Sequence, residues 1–313
     1  MKYMKWIGLA LVVLALFTFL LRSCGALKNQ PQPAAPADAN GAFQTMADGT
    51  RIYVYAYSPN ANHQRTVYIL SGITGINHLR EMDLVRALAG AENRVVVIHP
   101  RGTGYSDGPR GDVGDFDKIL ADYLAVINRD QGSGKRFLFG HSMSTAMAIA
   151  IAGQVRDLAG TVLVNPPIRR KSSEGMTPTA GEYIKYALYY ILAPHTPIVN
   201  MAGEPEKIKN PEERLEAEAR NNDPLLVKYF SLYCMMNSQK LMDAMIGKSK
   251  HCDTPLLLLY GTTDSLVDKS GVDELFAAWK DNRKKYMLVD QGPHGKLTVL
   301  KAQAAIRDWI KEQ

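Results

Sequence analysis

The stretch Phe137-Leu138-Phe139-Gly140-His141-Ser142-Met143-Ser144 decides how this chain is read. A short apolar run ends in a tight polar turn, and an alanine-rich helical stretch follows at once. That is the strand–turn–helix context of a nucleophile elbow, in which a strained serine is pushed out above a sheet. Strand and helix nearly touch at such a turn, so its flanks must be small. Gly140 meets this need two residues before Ser142. Two residues after it stands Ser144, where the G-x-S-x-G pattern asks for glycine.

Two further segments complete the pattern. Pro255–Asp264 reads as a buried strand running into a loop with a carboxylate. Lys285–Asp290 reads as another strand, followed by the turn Gln291-Gly292-Pro293-His294-Gly295. Ser142, Asp264 and His294 thus each lie just past the end of an expected strand. In an open parallel sheet those carboxyl ends gather on one edge, where ligands bind. The chain order serine, acid, histidine is that of α/β-hydrolase triads.

On these residues the chain resembles the α/β-hydrolases of the monoacylglycerol lipase and lysophospholipase type, also called serine-aminopeptidase-like hydrolases. Ile69-Leu70-Ser71-Gly72-Ile73 resembles the family's His-Gly oxyanion loop, with Ser71 in place of histidine. His99 to Gly108 resembles its D-x-R-G-x-G-x-S-x-G block, with His99 in place of aspartate. Gly261 to Asp268 resembles its G-x-x-D-x-L-V-D acid loop, and His294 follows Asp264 by 30 residues, the family's usual separation. The resemblance covers residues 43–313. It implies an α/β-hydrolase fold, a mostly parallel doubly wound sheet with a helical lid inserted at 166–250. It also implies serine hydrolase activity on carboxylic esters of lipids, with a lipid or small ester as substrate.

The chemistry follows from the residue types. A serine hydroxyl is a weak nucleophile at neutral pH and needs a base. His294 would take the Ser142 proton, and Asp264 would hold the imidazole tautomer. The oxyanion needs two fixed N–H donors, assigned to Met143 and Ile73. No cofactor is required, and no C-x-x-C or H-E-x-x-H pattern points to a metal. Asp268 is expected to cap a helix rather than to replace Asp264. His251 precedes the acid in the chain, which breaks the order. His141 is read as a packing or hydrogen-bonding neighbour of the nucleophile. His99, Arg101, Asp107 and Arg110 are read as braces of their loop, and His78 and His195 as candidate substrate contacts. Two other readings stay open: an aminopeptidase or amidase on the same triad, with Glu174, Glu182 or Glu204 holding an ammonium group, and a non-catalytic binding protein on this fold.

Composition bounds the rest. Of 313 residues 46% are hydrophobic and 22% charged, which is globular and argues against disorder. The net charge of +6 falls to +3 once Lys2, Lys5 and Arg22 of the N-terminal segment are set aside. With no basic stripe left, nucleic-acid binding is not expected. Lys2 and Lys5 precede an apolar run from Trp6 to Leu21, the pattern of an export signal or short membrane anchor. Leu21-Arg22-Ser23-Cys24-Gly25 resembles a bacterial lipobox, which would lipidate Cys24; an uncleaved anchor is the alternative. Residues 1–24 are therefore expected as a leader or anchor on a membrane surface, 25–42 as a flexible linker and 43–313 as the enzyme domain. Cys234 and Cys252 are expected as two separate buried thiols.

Ile52, Val54 and Ala56 alternate with Tyr53, Tyr55 and Tyr57, which predicts a half-exposed strand, and alternating strand and helix patterns fill residues 52–164 and 256–311. Between Pro166 and Lys250 the alternation stops, and no strand is expected there. Tyr183, Tyr186, Tyr189 and Tyr190 with Ile184, Leu188, Ile191 and Leu192 form an aromatic, apolar helix in this stretch; Leu225, Leu226, Phe230, Leu232, Met235 and Met236 form another, and Leu241, Met242, Met245 and Ile246 follow. Together these side chains would suit an acyl chain, while most of them are expected to pack the lid onto the main domain.

Overall fold

The computed structural model describes residues 6–8, 11–15, 18–19, 30, 32–74, 78, 80–130, 132, 134–171 and 180–313. In chain order the first half gives β1 (Gly41–Thr45), β2 (Arg51–Tyr57), β3 (Arg65–Ile69), α1 (Met82–Ala89), β4 (Asn93–Ile98), α2 (Phe116–Arg129), β5 (Lys135–His141), α3 (Ser144–Ala152) and β6 (Leu158–Val164). An insertion follows, with α4 (Ala180–Leu192), β7 (Pro197–Asn200), α5 (Pro211–Asn221), β8 (Tyr229–Ser231), α6 (Leu232–Asp243) and α7 (Met245–Ser249). The chain then returns through β9 (Leu256–Gly261), α8 (Lys269–Ala278), β10 (Lys284–Val289) and α9 (Lys296–Glu312).

Eight strands form one sheet in the order β1-β2-β4-β3-β5-β6-β9-β10. Strands β3 to β6, β9 and β10 run parallel, and β1 and β2 add an antiparallel edge. This is the doubly wound α/β-hydrolase architecture. The chain winds from β3 towards one edge and from β5 towards the other, so the loops after these two neighbours diverge. A crevice opens at such a switch point.

Helices cover both faces, which is why the central strands are continuous apolar runs. Leu256 and Leu258 pack with α2, α3 and α8, whereas Leu257 and Leu259 pack with α1 and α9. Each such fully buried side chain contributes about 1.5–3 kcal/mol. Helix α3 is buried along its whole length, and its alternating alanines let it lie close beneath the elbow.

Several expectations need correction. Strand β2 is not half exposed: Ile52, Tyr53, Val54 and Tyr55 are all buried. The tyrosine face is covered by other rings, with His78 stacked on Tyr55 at 3.9 Å and Tyr105 edge-on to Tyr53 at 5.1 Å. The insertion is not free of strands, because β7 and β8 form an antiparallel pair. Strand β1 reaches back to Gly41, inside the segment expected as linker. Gln30 is bonded to the folded domain as well, its amide donating to Tyr229 O at 2.9 Å and accepting from Tyr229 N at 3.1 Å. Of the leader, residues 6–8, 11–15 and 18–19 are helical, and no helix among the described residues is long and apolar enough to cross a membrane. Cys24 lies outside the described residues. Cys234 and Cys252 are buried free thiols, and burial pushes both up to about 12.

The ring cluster on β2 sets an acid limit on stability. The Tyr105 peptide N–H donates to His99 Nδ1 at 3.2 Å, so the His99 proton sits on Nε2 and faces His78 Nδ1 at 3.3 Å. Burial pushes His78 down to about 4 and His99, further disfavoured by His78, down to about 3. Both are neutral at pH 7, while the unfolded chain takes up these protons near 6.5. Their stabilisation is complete above pH 6.5 and is lost as the pH falls from there towards 4 and 3. The thermal midpoint should fall across this window, and His78→Phe, which keeps the stack without the titration, should make the acid limb shallower.

Candidate active site

The elbow places its serine by strain. Ser142 has φ +50°, and its peptide N–H is held by Val164 O at 2.9 Å. A Cβ on Gly140 would lie 2.8 Å from Ser144 O and 3.0 Å from Thr145 Cα, so only glycine fits there. Ser144 explains its own departure from glycine. Its hydroxyl accepts from His141 N and donates to His141 O, both at 2.8 Å, and so staples strand to helix. Ser144→Ala should cost about 1–2 kcal/mol, read from the denaturant midpoint.

Asp264 and His294 meet the serine as the chain order requires. His294 Nε2 lies 2.7 Å from Ser142 Oγ, and His294 Nδ1 lies 2.8 Å from Asp264 Oδ2. The other Asp264 oxygen accepts the peptide N–H groups of Leu266 and Val267 at 2.7 and 2.9 Å. The carboxylate is fully buried and has a partner at each oxygen. Asp268 instead caps α8, accepting from Ser270 N at 2.8 Å.

The loop after β3 lies against the elbow. A Cβ on Gly72 would sit 3.3 Å from Met143 Cβ and 3.5 Å from Ser144 N. Ile73 is buried beside it. Among the described residues, neither the Ile73 nor the Met143 peptide N–H has a backbone acceptor. Ser71, standing where the resemblance expects histidine, is gripped by Tyr123 of α2. The phenol accepts from Ser71 N at 3.0 Å and donates to Ser71 O at 2.8 Å.

The remaining sequence candidates fall outside this constellation. Arg101 binds both oxygens of Asp122 at 2.7 Å and Asp48 at 2.9 Å. Asp107 pairs with Arg51, and Arg110 donates to Gly104 O and Leu225 O. His78 is enclosed by rings, His195 pairs with Asp112 on the surface, and His251 is exposed after α7. His141 faces Glu81, with Nε2 3.8 Å from its carboxylate. Burial alone would raise Glu81, but His141 and Arg80 outweigh it and hold the group at about 2. Glu204 pairs with Lys207, Glu182 is exposed on α4, and Glu174 lies outside the described residues.

Sequence reasoning missed the groups that hold the Asp264 and His294 loops. Asn165, buried at the end of β6, donates to Pro293 O at 3.0 Å and accepts from Gly261 N at 2.9 Å. Glu213 of α5 accepts from His294 N. Tyr123 carried no signal beyond its apolar helical spacing.

With this geometry in hand, the comparisons are decisive for the family. The profile of the family described as "Serine aminopeptidase, S33" matches residues 61–298. The chain belongs to this family of hydrolases. It is 25% identical to human monoglyceride lipase over 256 residues, spanning 79% of this chain and 81% of the relative. In fold it is similar to a soluble variant of yeast monoglyceride lipase, with TM-score 0.69, 15% identity and coverage of 90% of this chain and 98% of the other. The Paleococcus ferrophilus monoacylglycerol lipase gives TM-score 0.66 at 21% identity, covering 83% of this chain and 98% of the other. The protein is thus a monoacylglycerol lipase-like α/β-hydrolase.

Proposed function

We propose that this carboxylic ester hydrolase cleaves acyl esters of lipids, of the monoacylglycerol or lysophospholipid kind, with Ser142, His294 and Asp264 as its catalytic residues. The observation that carries the reading is the unbroken hydrogen-bond chain from Ser142 Oγ through the His294 ring to Asp264. Ser142 Oγ attacks the ester carbonyl carbon as its proton passes to His294 Nε2. Asp264 fixes the proton on Nδ1, leaving Nε2 free to accept, and stabilises the imidazolium that forms. The carbonyl oxygen becomes an oxyanion held by the peptide N–H groups of Met143 and Ile73. Collapse breaks the ester C–O bond, and His294 returns the proton to the departing alcohol. Water, deprotonated by the same ring, then releases the fatty acid and restores Ser142.

Support for a lipid substrate comes from the insertion. Tyr183, Ile184, Leu188, Tyr190 and Ile191 of α4 expose their apolar surface, an arrangement suited to a lipid interface. The N-terminal apolar run would keep the enzyme on that surface, through lipidated Cys24 or as an uncleaved anchor. Leu225, Leu226, Phe230, Leu241, Met242 and Met245 are buried and pack the insertion onto the domain. The test is acyl release by the full chain from a long-chain monoacylglycerol and a short-chain aryl ester, with Ser142→Ala as control. Preference for the long chain, lost in the variant, supports lipid esterase activity. Activity on the short ester alone overturns the lipid assignment and keeps the triad.

A further inference from the structure

We infer that Glu213 is a positioning residue through which the insertion holds the base and acid loops in working alignment; the inference rests on the triad reading above. Helix α5 starts at Pro211, with Asn210 as its cap accepting from Glu212 N at 2.9 Å and Glu213 N at 3.3 Å. The cap fixes the first turn, and the Glu213 carboxylate leaves that turn towards the triad. One oxygen accepts the His294 peptide N–H at 2.9 Å, and the other accepts the Ser265 hydroxyl at 2.9 Å. Ser265 follows the acid Asp264 directly. A single side chain thus spans the two loops whose separation sets the Asp264–His294 contact.

The rest of α5 reinforces this grip. Glu216 lies one turn further on and pairs with Lys296 Nζ at 2.9 Å, two residues beyond His294. Glu212 reaches Lys301 at 3.5 Å. From the sheet side Asn165 holds Pro293 O, so the His294 loop is clamped from below by β6 and from above by the insertion. Glu213 makes no contact with Ser142 Oγ or with either ring nitrogen of His294, whose partners are Ser142 and Asp264. It therefore acts through the backbone. Its task is acceptance at two points, which a neutral amide of the same length also performs, because the serine hydroxyl can rotate to accept from the amide nitrogen.

The experiment compares wild type, Glu213→Ala, Glu213→Gln and Glu213→Asp in the full chain on a short-chain aryl ester. Ser142 labelling by a serine-directed fluorophosphonate is followed in parallel. Positioning errors of about 1 Å cost on the order of 100-fold in rate. Glu213→Ala should lower kcat by about ten- to 100-fold with KM nearly unchanged, and should label correspondingly slowly. Glu213→Gln should recover most of kcat. Glu213→Asp, which keeps the charge but retracts it by one methylene, should lose kcat like the alanine variant and decides the matter if that variant does not fold. Wild-type kcat in Glu213→Ala or Glu213→Asp, with normal labelling of wild type, overturns the inference alone. A rise in KM at constant kcat also overturns it, by making Glu213 a substrate contact. Failure of wild type to label or turn over overturns the triad reading and the inference with it.

Discussion

Asp264→Asn should lower kcat about ten-thousand-fold without unfolding the protein. The expectation comes from the hydrogen bonds of the carboxylate. One oxygen accepts two peptide N–H groups, from Leu266 and Val267, so in the variant the amide oxygen must take that place. The amide nitrogen then faces His294 Nδ1 and donates to it. This drives the imidazole proton to Nε2, where it blocks acceptance from Ser142. The nucleophile loses its base although every atom stays near its place. Turnover of a short ester, read beside the thermal midpoint, checks this. A variant that keeps more than about a tenth of wild-type kcat would remove Asp264 from the role of acid.

Arg101→Met should cost about 3–5 kcal/mol of stability. The guanidinium binds both oxygens of Asp122 at 2.7 Å, and both side chains are largely buried. Removing the cation leaves Asp122 buried and unneutralised on α2, the helix that also carries Tyr123 and through it Ser71. Denaturant unfolding measures the loss. The double variant Arg101→Met with Asp122→Leu should recover most of it, because the cost is an uncompensated charge rather than a missing contact. A double variant no more stable than the single one would overturn that account.

How far the sequence could be read depended on where the information sits. The central strands announce themselves because both faces are covered, so runs such as Leu256–Leu259 are continuously apolar. Ser142 and Asp264 were legible because each follows such a run, His294 because it lies in a turn after the edge strand Lys284–Val289, and the chain order fixes which can meet. The short strands were not. β7 and β8 hold only four and three residues and pair with each other outside the main sheet. The tyrosine face of β2 read as exposed because its cover, His78 and His99, comes from distant loops. Glu213, Asn165 and Tyr123 act on backbone groups far away in sequence, at residues 294, 293 and 71. No local pattern marks such contacts, since a glutamate in a helix's first turn looks like a dipole partner and nothing more. Ser144 read as a defect of the elbow until its two bonds to His141 were seen.

The insertion leaves the sheet after β6 and re-enters at β9, and these strands are direct neighbours, with Thr161 opposite Leu256. Because the pair is parallel, the insertion starts at Val164 and ends at Leu256, two points held roughly 11 Å apart whatever lies between them, by three residues of rise and one strand spacing. Closing a longer excursion costs little, about 0.6 kcal/mol for each doubling of length. Evolution can thus rewrite this segment, in size and in sequence, without disturbing the sheet that carries the serine, acid and histidine. The residues that pack it onto the domain, such as Phe230 and Met245, and those that reach back to the Asp264 and His294 loops, Glu213 among them, limit that freedom. The protein divides into a scaffold that is costly to change and a module that is cheap to exchange, and new substrate preferences have their easiest origin in the second.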